Sequence, residues 1–276
     1  MNITFHRYSG PAGVTAEALR LRAFFLKRLG DDFPFGRWDW MITHAWLDHD
    51  ALGNIGVWED NGEVVGVAAF DTQPGEGFIC VLPGYEGLRA EMVRYASANI
   101  RSGGKFRLLI LDQDTAFQKL AAEEEFIATP EKEFDVVFDN RDISKIFYVL
   151  PEGFRVVGSD EVFDLEKYGQ VLWKGFNHEQ NSEGPLELNE AKRKKLVDEM
   201  FRPNVNLHIK IAVLAPNGIY ASYCGMWQDD ASPDALVEPV ATDPAYRGLS
   251  LGKAAVLEGV RLYGLLGAQR ALVGSR

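Results

Sequence analysis

Leu236-Val-Glu-Pro-Val-Ala-Thr-Asp-Pro-Ala-Tyr-Arg-Gly-Leu-Ser-Leu-Gly-Lys253 opens as an apolar strand pattern and closes as the first turn of a helix. Its middle, Pro244-Ala245-Tyr246-Arg247-Gly248-Leu249, has the spacing Pro-x-Tyr-x-Gly-Leu. The same spacing recurs at Pro83-Gly84-Tyr85-Glu86-Gly87-Leu88. A motif that returns at the same junction of two patterns marks an internal repeat, and a repeat governs every later reading of the chain.

Working outward, each copy of the motif is preceded by a hairpin signal. In the first half Ile55 to Trp58 and Glu63 to Phe70 flank Asn61-Gly62; in the second Ile209 to Leu214 and Ile219 to Trp227 flank Asn217-Gly218. Asn-Gly fits the tight turn that joins two antiparallel strands. Short strands, Gly77 to Leu82 and Leu236 to Thr242, lead into each motif, helices follow to about Ile100 and Leu266, and further strands come at Phe106 to Leu111 and Arg270 to Val273. A helical crossover implies that the strands on either side of it lie parallel. Helical stretches precede each sheet: Thr15 to Leu29, Trp38 to His44, Leu165 to Trp173 and Asn189 to Phe201.

The expected class is therefore α/β in the broad sense (α+β), with two domains, each a mixed, mostly antiparallel sheet flanked by helices. The polar break Asn140 to Ser144 sets the boundary, giving domains 1–142 and 143–276, with Lys145 to Leu150 as the opening strand of the second. The first copy continues after its last strand with a helix-like Asp114 to Phe126 and a strand-like Glu133 to Phe138. The second copy reaches Arg276 without such a helix and strands.

The segment from Arg247 to Gly252 resembles the acetyl-CoA-binding motif of the GNAT (GCN5-related N-acetyltransferase) superfamily: Gln or Arg, two residues, Gly, one residue, then Gly or Ala. Arg247 and Gly252 match it, and Ser250 stands where the first glycine is expected. Physically, amides at a helix start converge on a pyrophosphate, and the helix dipole favours negative charge there. Arg247 and Lys253 add cationic contacts, while Gly248, Leu249, Ser250, Leu251 and Gly252 supply backbone. The resemblance further implies that Val240, Ala241 and Thr242, on a strand splayed from its neighbour, hydrogen-bond the pantetheine arm. In the first copy Glu86 replaces Arg247 and Glu91 replaces Gly252. Two carboxylates aimed at a diphosphate repel it, so the first copy is expected to be degenerate and not to bind CoA.

An N-acyltransferase of this kind moves an acetyl or short acyl group from acyl-CoA to a primary amine by direct attack in a ternary complex. Glu238, on the strand leading to the motif, is the leading candidate base, and alternation puts Glu238, Val240 and Thr242 on one face. The bland alternative is a carboxylate that orients backbone or pairs with a lysine. Tyr223 and His178 are further candidates for the acceptor side, though residues of each kind more often have a packing role. In the family, the part absent after Arg276 supplies a tyrosine that protonates the leaving thiolate. Tandem arrangements of this sort resemble mycothiol synthase and similar double-domain transferases.

Two other readings stand beside this one. Gly248-Leu249-Ser250-Leu251-Gly252 fits Gly-x-Ser-x-Gly, the hydrolase nucleophile elbow, but Asp243 to Arg247 separate Ser250 from its strand and no histidine follows His208. The second reading, a non-catalytic acyl-CoA-binding or regulatory protein, draws on Ser250 and on the C-terminal helix and strands that the second copy lacks.

Composition narrows the rest. A formal net charge of -11 disfavours a nucleic-acid surface, which draws on clustered Lys and Arg. Residues 1–140 hold 22 acidic and 13 basic side chains, so -9 of that charge lies in the first half. The balance suits cationic or neutral partners. Cys80 and Cys224 lie singly in apolar runs and suggest neither a disulfide nor a metal site. The aromatic cluster Phe33, Phe35, Trp38, Trp40 and Trp46 reads as core before pocket. Without a signal-like N-terminus or a membrane-length apolar run, a cytoplasmic protein, monomeric or homodimeric, is expected.

Overall fold

Each Asn-Gly pair closes a hairpin, and a sheet grows around each hairpin. The computed structural model describes residues 2–44 and 46–275, with the side chains at 135, 142 and 275 outside the description. In the first sheet, β1 (Ile3–Arg7), β2 (Gly56–Asp60), β3 (Glu63–Phe70), β4 (Glu76–Val81) and β5 (Arg107–Leu108) follow in sequence order. All neighbours are antiparallel except β4 and β5. Asn61 and Gly62 take φ of 51° and 85°. That turn geometry matches the twist of the flanking strands. The helices of this unit are α1 (Ala16–Arg28), α2 (Phe35–Thr43), α3 (Arg89–Asn99) and α4 (Thr115–Glu123). Phe33, Phe35, Trp38 and Trp40 are buried, with Trp38 Nε1 donating to the Ala18 carbonyl at 2.9 Å; Trp46 is exposed.

The second sheet holds six strands: β6 (Phe134–Asp139), β7 (Arg155–Gly158), β8 (Ile211–Leu214), β9 (Tyr220–Trp227), β10 (Asp234–Thr242) and β11 (Arg270–Ser275). Their spatial order is β7-β8-β9-β10-β11-β6. Only β10 and β11 run parallel. Its helices are α5 (Leu165–Gly175), α6 (Glu190–Met200) and α7 (Leu251–Leu265). One core lies between the sheet and α7, through Cys224, Met226, Val237, Leu251, Ala255 and Tyr263. Another lies beneath α5 and α6, through Tyr168, Val171, Met200 and Tyr223. Gly259 sits so close to the sheet that a Cβ there would fall 1.9 Å from Met226 Sδ, so α7 lies nearly on the strands.

By contacts the chain separates into Met1–Lys132 and Glu133–Arg276. That division falls before the break at 142/143 because β6, which the sequence assigns to the end of the first copy, pairs antiparallel with β11 along its whole length. The strand beside β11 in the second sheet is thus supplied from before the second copy begins. Two further expectations change. Lys145 to Leu150 forms no strand: Phe147 and Val149 are exposed, and the opening strand is β7. The run Phe106 to Leu111 yields only the two-residue β5.

Candidate functional site

The second unit places a splayed strand and a helix start together. Arg270 grips Asp234 through paired contacts of 2.6 Å, and the β10–β11 ladder then covers only Asp234–Leu236. Beyond that point β10 runs on to Thr242 held by β9 alone. Among the described residues, the backbone of Val240, Ala241 and Thr242 therefore has no sheet partner on the β11 side. Asp243 caps the following turn, accepting from the Ala245 amide at 2.9 Å while its own amide donates to the Ala221 carbonyl.

The loop then reaches α7 through two left-handed residues, Gly248 at φ 81° and Ser250 at φ 59°. Glycine adopts that conformation freely, whereas a residue with a Cβ costs roughly 1 kcal/mol there, which gives the departure at Ser250 a physical cost. A Cβ on Gly248 would meet open space. The amides of Leu251, Gly252 and Lys253 open the helix and have no intrahelical acceptor; Ala254 to the Ser250 carbonyl is the first helical bond. Gly252 is needed for packing as well as for approach: its Cβ would lie 2.9 Å from Thr242 Oγ1 and 3.7 Å from Ser222 Oγ. Ser222 in turn donates to the Ala241 carbonyl at 2.9 Å and pairs with Thr242 Oγ1 at 2.9 Å. Lys253 is exposed at the helix start.

Arg247 takes a place the sequence does not reveal. Its Nη2 donates to the Gly175 carbonyl at 2.9 Å and to Asn177 Oδ1 at 2.8 Å, so the guanidinium binds the C-terminal end of α5. Gly175 in turn backs onto β10, where a Cβ would lie 2.7 Å from Ala241 Cβ and 3.0 Å from the Thr242 amide nitrogen. Lys174 Nζ lies 3.5 Å from Asp243 Oδ2. Loop, strand end and helix end form one joint, made by partners so far apart in the chain that no local sequence signal announces them. Hydrogen bonds to a charged donor at an exposed site contribute about 1 kcal/mol each. Arg247→Ala should therefore raise hydrogen exchange of amides 176–183 roughly tenfold, by mass spectrometry, while β9 amides stay unchanged.

The candidate catalytic side chains separate. Glu238 lies in a bulge: Val237 faces Met226 and Val240 faces Cys224, so β10 carries one residue more than β9 there. Pro239, which has no amide hydrogen to donate, is tolerated at such a place. Val237 and Val240 consequently share the α7 face, and Glu238 drops out of the expected row with Val240 and Thr242. Glu238 is partly exposed, its carbonyl accepts from Trp227 Nε1 at 3.1 Å, and Gly225 makes room for it, since a Cβ there would fall 2.5 Å from the Glu238 oxygen. Tyr223 is enclosed instead. Its hydroxyl points at Met200 Sδ, 3.7 Å away, its ring meets Tyr168 edge-on, and burial drives its pKa well above the usual phenol range. It belongs to the core, out of reach of an acceptor.

In the first unit the two replacing carboxylates are engaged within the chain. Glu86 turns back and accepts from the Gly84 amide at 3.1 and 3.0 Å, and Glu91 accepts from Trp58 Nε1 at 2.8 Å. Cys80 and Cys224 are both free and fully buried, and burial pushes each thiol up to about 12. Among the described residues no group of three His, Cys, Asp or Glu side chains converges on a metal position, and no helix is long and apolar enough to cross a membrane.

No family model matches the chain, and no curated protein matches it. Among solved structures, a GCN5-related N-acetyltransferase from Sphaerobacter thermophilus is similar over 99% of this chain and 86% of that one, with a TM-score of 0.59 and 12% identity. A tandem GNAT protein from the clavulanic acid biosynthesis pathway is similar over 99% of this chain and 90% of that one, with a TM-score of 0.59 and 14% identity. Through both of its sheets, the chain has the fold of the GNAT N-acetyltransferases in its tandem form.

Proposed function

We propose that the second unit is an acyl-CoA-dependent N-acyltransferase that moves an acetyl or short acyl group to a primary amine of a small molecule. The observation that carries this reading is the end of β10, without a strand partner on its β11 side, running into a helix start whose amides have no acceptor within the helix. The pantetheine arm contains two amides, so it can add to that edge as a strand would, while the diphosphate meets the amides of Leu251, Gly252 and Lys253. Arg247, engaged on Gly175 and Asn177, shapes the loop in this reading, and Lys253 is the exposed cation left to meet phosphate.

Within such a complex the amine attacks the thioester carbon directly, and alignment of the two reactants supplies much of the rate. Glu238, partly exposed at the bulge, is the carboxylate that meets the ammonium group of the acceptor. An overall charge of -11 favours cationic acceptors. The degenerate first unit carries no cofactor in this reading.

Thiol release from acetyl-CoA over a panel of diamines, amino sugars and amino-acid amides tests the proposal, with calorimetry of CoA binding alongside. Glu238→Gln is expected to raise KM for a cationic amine at least tenfold with CoA affinity unchanged. If CoA binds and no amine is acylated, the second reading, an acyl-CoA-binding protein without turnover, takes its place; Arg247's engagement and the left-handed Ser250 favour that reading. If CoA does not bind, both fall.

A further inference from the structure

Beyond the end of α5 the chain makes a tight excursion over residues 176–184, and it carries an arrangement that packing alone does not require. Asn177 at φ 63° and Ser182 at φ 70° both hold left-handed conformations without being glycine, and Gly184 follows at φ 74°. Backbone held in such regions gathers where a structure fixes functional groups. Inside this excursion His178 Nδ1 lies 2.8 Å from Glu183 Oε1, although the two side chains are exposed by 29% and 48%. The imidazole stacks on Trp173, with centroids 4.3 Å apart and planes at 18°. Trp173 is itself fixed, its Nε1 donating to the Gly184 carbonyl at 2.9 Å. The backbone closes the same circuit, with the His178 amide donating to the Trp173 carbonyl and the Glu183 amide to the His178 carbonyl.

This contact assigns the ring proton to Nδ1, because a carboxylate only accepts. Nε2 is thereby left as the basic nitrogen, on a ring that is held in place but not enclosed. The excursion is tied to the loop after β10 through Arg247, and α5, from which it leaves, packs on β10. Arg247 binds Asn177 and Gly175, the residue before His178 and the third before it, and Gly175 touches Ala241 and Thr242. The segment that carries the imidazole is thus anchored, at the residue before it, to the loop that follows the strand along which the pantetheine arm is proposed to lie.

We propose that His178, oriented by Glu183 and Trp173, is the proton acceptor for the incoming amine. This rests on the acyltransferase reading and adds to it the group that makes the nitrogen nucleophilic. One proton of the ammonium group passes to His178 Nε2 and on to solvent. The freed nitrogen pair forms the C–N bond at the thioester carbon, and the C–S bond breaks with its electron pair leaving on sulfur. A second proton from the same nitrogen neutralises the thiolate, so the products are the amide, CoA thiol and one proton. Glu183, which touches no reactant, is a positioning residue.

The experiment compares the full-length parent, His178→Asn and Glu183→Gln with an amine that the parent acylates, measuring kcat, KM for the amine, acetyl-CoA affinity by calorimetry, and recovery with added imidazole. His178→Asn should lose roughly 100- to 1000-fold in kcat, within the range of a general base, with acetyl-CoA affinity within twofold of the parent and partial recovery in imidazole. Glu183→Gln should lose about tenfold in kcat without recovery, since its histidine remains. The proposal is overturned if His178→Asn keeps kcat within twofold, or if its loss comes with weakened acetyl-CoA binding and no recovery. A parent that releases no thiol with any amine overturns the acyltransferase reading itself, and this one with it.

Discussion

A chain carrying Gly252→Glu is expected to bind acetyl-CoA at least 100-fold more weakly than the parent. Two effects act in the same direction. A Cβ at position 252 has Thr242 Oγ1 at 2.9 Å and Ser222 Oγ at 3.7 Å, and both hydroxyls are already engaged, with each other and, from Ser222, with the Ala241 carbonyl. To make room, α7 must move off the end of β10, which carries the amides of Leu251 and Lys253 away from the strand edge. A carboxylate at the helix start then adds like charge against a diphosphate, about 4 kcal/mol for unit charges roughly 4 Å apart at an effective dielectric of about 20, and less when exposed. The first unit already carries such a carboxylate, since Glu91 occupies the matching place. Gly252→Ala separates the two effects, because it adds the Cβ alone and should weaken binding about tenfold. Calorimetry decides; an affinity of the Gly252→Glu chain within threefold of the parent's would mean that this helix start holds no phosphate.

The second large effect concerns acid. Stability of the first unit should fall by about 2 kcal/mol between pH 7 and pH 5 through one half-buried imidazole, and His44→Gln should remove most of that fall. The His44 ring packs against Trp40 with centroids 4.3 Å apart, and its Nδ1 accepts from the Trp46 amide at 3.2 Å. Burial, with a smaller contribution from the Arg37 guanidinium, pushes its pKa from 6.5 down to about 4. The unfolded chain therefore takes up the proton near pH 6.5 while the folded chain resists it until about 4. Between those values the unfolded state binds more protons, and folding loses up to about 1.4 kcal/mol per pH unit as the pH falls. Stability from the neutral ring is full above about 6.5 and declines below it. Urea unfolding followed by hydrogen exchange of the β2 and β3 amides reads the first unit, and pH 5 stays above the range where most carboxylates titrate. Equal slopes in the parent and in His44→Gln would place the acid sensitivity elsewhere.

Much of the architecture follows from patterns only a few residues long. Asn61-Gly62 and Asn217-Gly218 fix the hairpins through backbone that glycine and asparagine tolerate, and the apolar spacing of Leu251, Ala254, Ala255, Gly259, Val260 and Tyr263 fixes the buried face of α7. The splayed strand is legible too, because the resemblance at Arg247 to Gly252 brings its neighbour's geometry with it. The bulge is less so. Pro239 signals an irregular strand, yet period-two counting across it assigns Glu238 to the wrong row.

Local pattern thus suffices for the repeat, the two hairpins and the parallel crossovers, since turn chemistry and apolar periodicity act within a few residues. It takes the packed chain to send β6 into the second sheet, to set Arg247 on the end of α5, to enclose Tyr223 and to bring His178 onto Glu183 over Trp173. The run Phe134-Asp-Val-Val-Phe138 alternates with no clear face, so nothing local tells it which sheet to join. Arg247 and Asn177 are separated by 70 residues. Partners that distant are chosen by packing, which becomes defined only when the chain closes.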